Sequence, residues 1–416
     1  MRMSKKTVLP KLRFPEFKNN GEWEEKNLGK VLIKNSNKNK NSTYSLVQSV
    51  SNKYGFINQS EYFDNRRVAS KDTSNYYIIK KGYFAYNPSR IDVGSLAYKH
   101  DSEISIISPL YVSFKVKNEL LIDNFLLNWF SSASFTKQMV FEGGVRNTLN
   151  FENLIQIKIG LPSLLAEQQK ITDCLSSLDD LIAAEDKKLT LLKTHKKGLM
   201  QKLFPAEGET IPEVRFEGYT GDWEQRKLGE VYDIYSGQTP FRGDLDNFLN
   251  PTTAWIKTTD LNNASITENE EDISDKALKK LQLLPIGTVL IAMYGGFNQI
   301  GRTGMLTYPA TINQAISALP PVDYVDPYFL ITELNHNVEK WKIVAASSRK
   351  DANITKKDVE KFSLKNPELP EQIAISTFFC NLDEVITAQT EKIEALKLHK
   401  KGLMQGLFPS VQEVFG

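Results

Sequence analysis

The sequence predicts an α+β protein built as two globular α/β domains in tandem pseudo-repeat, separated by two long helices that form an antiparallel coiled coil. Three observations predict it. The segment "HKKGLMQ" stands at 195–201 and again at 399–405, 204 residues apart. Each copy closes a stretch of heptad-spaced apolar residues, and each such stretch follows a region of short β-rich runs punctuated by turns. The openings of the two halves repeat as well, so the whole chain reads as one unit written twice.

The openings align residue by residue. "LPKLRFPEFKNNGEWEEKNLGKV" (9–31) returns as "IPEVRFEGYTGDWEQRKLGEV" (211–231), matching Arg13-Phe14 to Arg215-Phe216, Trp23 to Trp223 and Leu28-Gly29 to Leu228-Gly229. The closings align too: "SLDDLIAAEDKKLTLLKTHKKGLMQKLFP" (177–205) against "NLDEVITAQTEKIEALKLHKKGLMQGLFP" (381–409). These landmarks give a first domain over 1–160, a helical segment over 161–205, a second domain over 206–366, a second helical segment over 367–409 and a tail over 410–416. Within that tail "VQEV" (411–414) echoes the "IPEV" that opens the second half.

Between these ends the halves diverge. Runs such as Tyr76-Tyr77-Ile78-Ile79 and Val289-Leu290-Ile291-Ala292-Met293 read as strands, with Gly, Asn and Ser turns between them. "LLIDNFLLNWFSSASF" (120–135) reads as helix. Similar ends with unlike middles imply one architecture serving two different recognition tasks.

The helices carry the clearest pattern. Ile171, Leu175, Leu178, Ile182, Glu185, Leu189, Leu192, Lys196, Leu199 and Leu203 are spaced alternately by four and three residues, the seam of a left-handed coiled coil. The second copy gives Ile375, Phe379, Leu382, Ile386, Gln389, Ile393, Leu396, Lys400, Leu403 and Leu407, with polar residues at the same two places. "GLPSLLAEQQ" (160–169) and "NPELPEQ" (366–372) supply the starts, with Glu167 and Glu371 suited to the positive end of a helix. "LFP" at 203–205 and 407–409 supplies the stops. Rods of about 35 residues are roughly 50 Å long. Self-complementary contact between repeated seams favours a two-fold relation, hence antiparallel rods and a dumbbell with its ends a set distance apart.

Composition sets limits. The 416 residues suit two or three domains of roughly 100–200 each. No run approaches the ~20 apolar residues of a membrane span. The start "MRMSKKTVLP" lacks the apolar core of a signal peptide, and the two cysteines, Cys174 and Cys380, are not repeat mates. A cytoplasmic protein without disulfides or a cysteine metal site is expected. The net charge is only +2, yet residues 1–40 hold eleven Lys/Arg against four Glu, a local excess able to attract phosphate.

No catalytic constellation emerges. Of the four histidines, His195 and His399 are repeat mates on the rods, where an exposed flank is the natural reading; His100 and His336 stand alone. HExxH, CxxC, GxxxxGK[ST] and a strand-linked GxGxxG are all missing from the sequence. "YNPSR" (86–90) distantly resembles the (N/D/S)PP(Y/F/W) element of amino-methyltransferases, but Ser89 and Arg90 replace its last two residues and a Pro88 turn explains it better. Acid pairs such as Asp179-Asp180 read as a solvated face.

The polar residues of the interiors suggest nucleic-acid contact. In the first domain these are Asn52, Lys53, Arg66, Arg67, Lys71, Asn87, Arg90, Lys99 and Arg146, among Tyr54, Tyr86 and Tyr98. In the second they are Lys257, Thr258, Thr259, Tyr294, Asn298, Gln299, Arg302, Asn313, Gln314, Arg349 and Lys350. Arginine grips guanine O6 and N7, Asn and Gln pair with adenine N6 and N7, and Lys and Tyr anchor phosphates. A solvated surface has a similar inventory, so the list by itself leaves both readings open.

In order, duplication and coverage the chain resembles the specificity subunit of type I restriction–modification systems along essentially its whole length. The resemblance rests on "LRFPEF…GEWEEKNLG" and "VRFEGYTGDWEQRKLG", on "YNPSRIDVGS" (86–95), "SPLY" (108–111) and "GGVRNTL" (143–149), on "AWIKTTDL" (254–261), "LIAMYGG" (290–296) and "TINQAI" (311–316), and on the two rod openings. It implies a non-catalytic subunit whose two target-recognition domains each read one half of a bipartite, asymmetric sequence in double-stranded DNA. The helices would set the spacer and dock two modification (methyltransferase) subunits, to which two restriction (translocase/nuclease) subunits are added. S-adenosylmethionine, ATP and magnesium would reside on those partners, with adenine N6 as the methylated atom, and this chain would bind no cofactor. The first domain lacks the "TINQAI" pattern, so contacts do not carry over from one domain to the other. A protein scaffold, an autonomous DNA-binding regulator and a catalytic methyltransferase are the alternatives; the missing cofactor loop counts against the last.

Overall fold

The structure, a computed structural model, describes residues 7–52, 54–59, 72–139, 148–296, 298–348 and 353–409. Both long helices are present, Leu165–Leu203 and Leu369–Leu407, each 39 residues. They are slightly longer than the seam alone predicts, because the first turn begins before the heptads do. Both stop where Phe-Pro follows, and Pro370 sits in the first turn of the second helix, where its missing N–H costs no helical bond.

The chain divides into two compact units, of which the first is not continuous in sequence. The first takes the residues up to Glu185 and those from Lys392 onward; the second is Asp186–Glu391. Each unit therefore contains part of each long helix. In the first, Lys400 Nζ donates to Asp179 and Lys392 Nζ donates to Glu185. As the residue number rises on one helix it falls on the other, so the pair is antiparallel. In the second unit Lys196 Nζ donates to both carboxylate oxygens of Asp383, at 2.6 and 2.7 Å, and Phe204 packs 6.2 Å from Phe379, again antiparallel. Lys196 and Lys400 are repeat mates, as are Asp179 and Asp383, so the same bridge forms once in each unit. Asp179 is thus engaged with the seam, a correction to its reading as part of a merely solvated face.

Seam burial follows the heptads. Ile171, Leu175, Leu203, Ile375, Phe379, Ile393 and Leu407 are buried; Leu178, Ile182, Leu189, Leu192, Leu199, Leu382, Ile386, Leu396 and Leu403 are half-buried. His195 and His399 are exposed on the flank.

In the first unit a four-stranded antiparallel sheet runs Leu32–Lys34, Val112–Val116, Phe84–Tyr86, Leu96–Tyr98. Phe84 stacks on Phe114 with centroids 5.2 Å apart. Helix Asp123–Phe130 buries Phe125, Leu126, Trp129 and Phe130 against this core. Helix was expected to run unbroken to 135, but it stops and restarts at Ala133–Thr136, because the Ser132 hydroxyl donates to Trp129 O at 2.6 Å. Tyr77–Ile79 is a strand, paired with Ser105–Ile107. A second sheet joins Thr7–Val8, Trp23–Asn27 and Lys158–Leu161. In the second unit Val289–Ala292 is the middle strand of five, with Tyr235–Ser236, Ile316–Leu319, Thr303–Leu306 and Ala264–Ile266. Helix Pro327–His336 packs on that sheet.

Each unit is closed by the end of a long helix. Phe408 meets Phe125 at 5.3 Å in the first, beside Trp23; its mate Phe204 meets Phe329 at 5.5 Å and Trp223 at 5.9 Å in the second. Each unit also clamps a helix start. Arg13 Nε and Nη2 donate to the two oxygens of Glu167 at 2.7 and 2.8 Å, and Arg13 Nη1 donates to Gly21 O. Arg215 repeats this on Glu371, at 2.7 Å twice, with Gly221 O as the third acceptor. Glu167 and Glu371 are buried, so they serve as paired ions more than as exposed partners of a helix dipole.

Breaking a buried ion pair from one side strands the other charge, at about 3 kcal/mol or more. Arg13→Ala and Arg215→Ala should each lower stability by that order in urea unfolding. Trp23 Nε1 still donates to Glu167 at 3.0 Å whereas Trp223 Nε1 has no partner, so Arg215→Ala should be at least as harmful. A second expectation concerns Glu333, fully buried on helix Pro327–His336, where loss of hydration pushes its carboxyl up to about 8, against the Lys365 backbone N–H it accepts at 3.1 Å. The unfolded chain releases that proton in the ordinary carboxylate range while the folded chain keeps it, so stability falls as pH rises from there to about 8. Melting curves from pH 5 to 9 should show this decline in the native chain and a flatter profile in Glu333→Gln.

Candidate nucleic-acid interface

In the first unit two hairpins place three of the sequence candidates together. Gln48–Ser51 pairs with Gly55–Asn58, and Gly55 turns the chain with φ +69°. Phe84–Tyr86 pairs with Leu96–Tyr98, and residues 87–95 form the connecting loop. That loop is built from its own backbone: Arg90 N donates to Asn87 O, Ser95 N to Arg90 O and Asn87 N to Ser95 O, each at 3.0 Å. Asn87 Oδ1 accepts from Ser89 N at 3.1 Å, so "YNPSR" is an Asx turn, as its Pro88 suggested. Asn52 Nδ2 reaches Val93 O at 3.3 Å and ties one hairpin to the other. Between them lies a cleft of about 230 Å³ lined by Ser51, Asn52, Asn87, Arg90, Ser95 and Tyr111, among others. Arg90 is exposed at its edge, and its guanidinium has no ion-pair partner among the described residues.

Three other residues of the first-domain group prove to be structural. Lys99 is fully buried, donating to Gln48 Oε1 at 2.8 Å and paired with Asp101 at 2.9 Å. Tyr86 is buried and donates to Leu149 O at 3.0 Å; burial pushes its phenol well above the usual range. Tyr98 donates to Asp123 at 2.7 Å. Strand Phe84–Tyr86 is buried along its whole length, and Lys99 follows directly on strand Leu96–Tyr98, placements that composition alone does not reveal. Tyr54 is exposed. Lys53, Arg66, Arg67, Lys71 and Arg146 lie outside the described residues, as do Arg349 and Lys350 in the second unit.

In the second unit the loop between Val289–Ala292 and Thr303–Leu306 carries Tyr294, Asn298, Gln299 and Arg302. Gly295 and Gly296 adopt φ +118° and +92°, values that disfavour a side chain. A Cβ on Gly295 would sit 3.2 Å from Gln299 Cβ and 3.5 Å from Thr258 Oγ1, so Thr258 belongs to the same neighbourhood. Tyr294 and Asn298 are exposed, while Arg302 is half-buried with Nη1 3.4 Å from Leu261 O. Asn313 accepts from Ala315 N at 3.0 Å and shapes a turn, with exposed Gln314 beside it. Lys257 and Thr259 are already engaged: the ammonium lies 2.9 Å from Glu270 and 3.4 Å from Glu271, and Thr259 donates to Glu270 at 3.2 Å. These carboxylates, Glu270 foremost, raise the Lys257 pKa.

Sequence reasoning passed over Arg242. Its guanidinium lies 4.6 Å from the Phe248 ring and 5.1 Å from that of Trp255, and it is ion-paired with Glu271. Nothing periodic marks it; it is one cation in an irregular loop.

The chain matches the type I restriction modification DNA specificity domain twice, over residues 20–194 and 220–398, and it belongs to that family. It is 25% identical over 292 residues to the protein named type I restriction enzyme MjaX specificity subunit of Methanocaldococcus jannaschii, covering 67% of this chain but only 65% of that relative's length. It is 27% identical over 314 residues to the MjaVIII specificity subunit of the same organism, covering 72% of each. A solved chain from work on complex assembly and conformational transition of the type I R-M system superposes with a TM-score of 0.61 at 18% identity, over 92% of this chain and 96% of that one. The type I restriction–modification S subunit from M. genitalium gives 0.56 at 13% identity, over 97% and 100%. These two share the fold. The chain is accordingly a type I specificity subunit with two tandem recognition domains.

Proposed function

We propose that this chain reads a bipartite, asymmetric DNA target for a type I restriction–modification complex and is itself non-catalytic. The observation that carries the reading is the contrast within the repeat. The seam bridges Lys196–Asp383 and Lys400–Asp179 recur in both units, while the loops that would face bases share almost nothing. One frame with two unlike reading surfaces suits two unlike half-sites. In the first domain Arg90, with Asn52 and Asn87 beside it, supplies the donors and acceptors that base edges demand. In the second, Tyr294, Asn298, Gln299, Thr258 and Arg302 do so from one loop and its neighbour. Lys257 and Thr259 would reach DNA only by leaving their carboxylate partners.

Each helix of 39 residues is roughly 58 Å long, enough to hold two readers about one duplex turn, ~34 Å, apart. The outward faces are also repeated: Leu181 in one unit and its mate Val385 in the other are exposed apolar residues on the rods. Such twin surfaces fit two copies of one partner, the modification subunits. S-adenosylmethionine, ATP and magnesium would be held by those subunits and by two restriction subunits, in the cytoplasm.

Arg90→Ala should weaken binding about tenfold to a duplex with both half-sites intact and cost little more where the half-site of the first domain is already mutated, and Arg302→Ala should behave likewise for the other half. Gel shifts against duplexes mutated in one half check this; equal effects on both halves would refute it. Inserting one heptad in both helices, at matching positions, should lengthen the unread spacer and leave both half-site words intact. Mapping N6-methyladenine in cells carrying the variant reads the outcome, and an unaltered spacer would sink the ruler.

A further inference from the structure

The second unit has a feature that the described residues of the first do not show. Between strands Tyr235–Ser236 and Thr253–Ile256, Phe241, Leu245 and Leu249 stand 77%, 78% and 63% exposed. Single exposed apolar side chains are ordinary, but three large ones on one short loop mark an interaction surface. The loop is also firmly held. Asp244 N and Asn247 Nδ2 both donate to Phe241 O at 3.1 Å, and Phe248 N donates to Leu245 O at 3.0 Å. Ser274 supports it from beneath, its N–H on Asn247 O at 2.9 Å and its hydroxyl on Asp246 O at 2.7 Å. Arg242, lying over Phe248 and Trp255, fixes the stem. Little ordering remains to be done when a partner arrives, which favours binding.

Charge selects the kind of partner. Duplex DNA is drawn to cations with no internal counter-charge. Here the cations on and under the loop are neutralised, Arg242 by Glu271 and Lys276 by Asp244 and Asp246. Residues 241–281 hold eight Asp/Glu against five Lys/Arg. The loop itself, 237–252, holds two Asp and one Arg, whereas its counterpart in the first unit, 35–47, has two lysines, Lys38 and Lys40, and no acid.

We infer that Phe241, Leu245 and Leu249 form a protein-docking knob peculiar to the second unit, shaped for an apolar hollow edged by lysine or arginine. The inference rests on the functional reading above, and the occupant is one of the two modification subunits. The corresponding loop of the first unit, 35–47, exposes no large apolar side chain, so the two partner copies are held unequally.

The test is a titration of the full chain with its modification subunit, followed by native mass spectrometry, for the native chain, the Phe241→Ser/Leu245→Ser double variant and Leu249→Ser. One partner copy should bind the variants as it binds the native chain. The other should bind about tenfold more weakly or worse, and the loss should persist at high salt, because salt screens the charged edge equally in the native chain and the variants and does not weaken apolar contact. Melting temperatures should be unchanged, since the side chains are exposed. Unchanged binding of both copies in all variants overturns the knob. So does an unchanged titration accompanied by weaker duplex binding, which would make the knob a DNA wedge. If the native chain recruits no modification subunit, the broader reading fails and the knob falls with it.

Discussion

A heptad seam that meets its own repeat is the constraint on which the rest depends. Each long helix offers a stripe too polar at Glu185, Gln389, Lys196 and Lys400 to be an ordinary core. Those positions are satisfied only when the partner stripe runs the other way. Then Lys196 finds Asp383, Lys400 finds Asp179 and Lys392 finds Glu185. Parallel pairing or a shifted register would break all three bridges. Polar residues in a seam typically give up stability for register, and here the register aligns the two halves of one chain. Tyr328 adds to this by donating to Asp383 at 2.7 Å, so the seam ion of the second unit is tied to its globular part.

The helix starts are fastened by a different device. A buried carboxylate one turn into each helix would be costly alone, and an arginine from the opening segment meets it with two parallel hydrogen bonds. The glutamine that follows continues the fastening. Gln168 accepts from Ile122 N and donates to Leu120 O, and Gln372 accepts from Asp326 N and donates to Tyr324 O. The repeated Arg, Glu and Gln therefore tie opening strand, helix start and the turn before the core helix into one node in each unit. This fits the likeness of the ends and the difference of the interiors: the node needs the same three residues in both units, and the loops beyond it take no part in it.

Those loops show how a fold spends its charged residues. Several side chains with the right chemistry for DNA are consumed inside the protein. Lys99 is sealed in the core, and Lys257 is held by two glutamates. What stays available is narrower than the composition suggests: Arg90 beside its cleft in one unit, and the Tyr294–Arg302 loop in the other.

The sequence by itself determined the duplicated architecture, the ends of both rods and the positions of their seams. Period and punctuation are local properties, and a 3-4 spacing closed by Leu-Phe-Pro has one reading. It also supplied the turn at Pro88, which the structure defines as an Asx turn on Asn87. Only the tertiary structure decided that Asp179 bridges the seam, that Glu167 and Glu371 are buried under arginines, and that the first compact unit is assembled from the two ends of the chain. It alone separated Arg90 from Lys99, and it revealed Arg242 against Phe248 and Trp255. The reason is physical: a residue's charge is written in the sequence, but its partner across the fold, and hence whether that charge remains available to a ligand, exists only once distant segments meet.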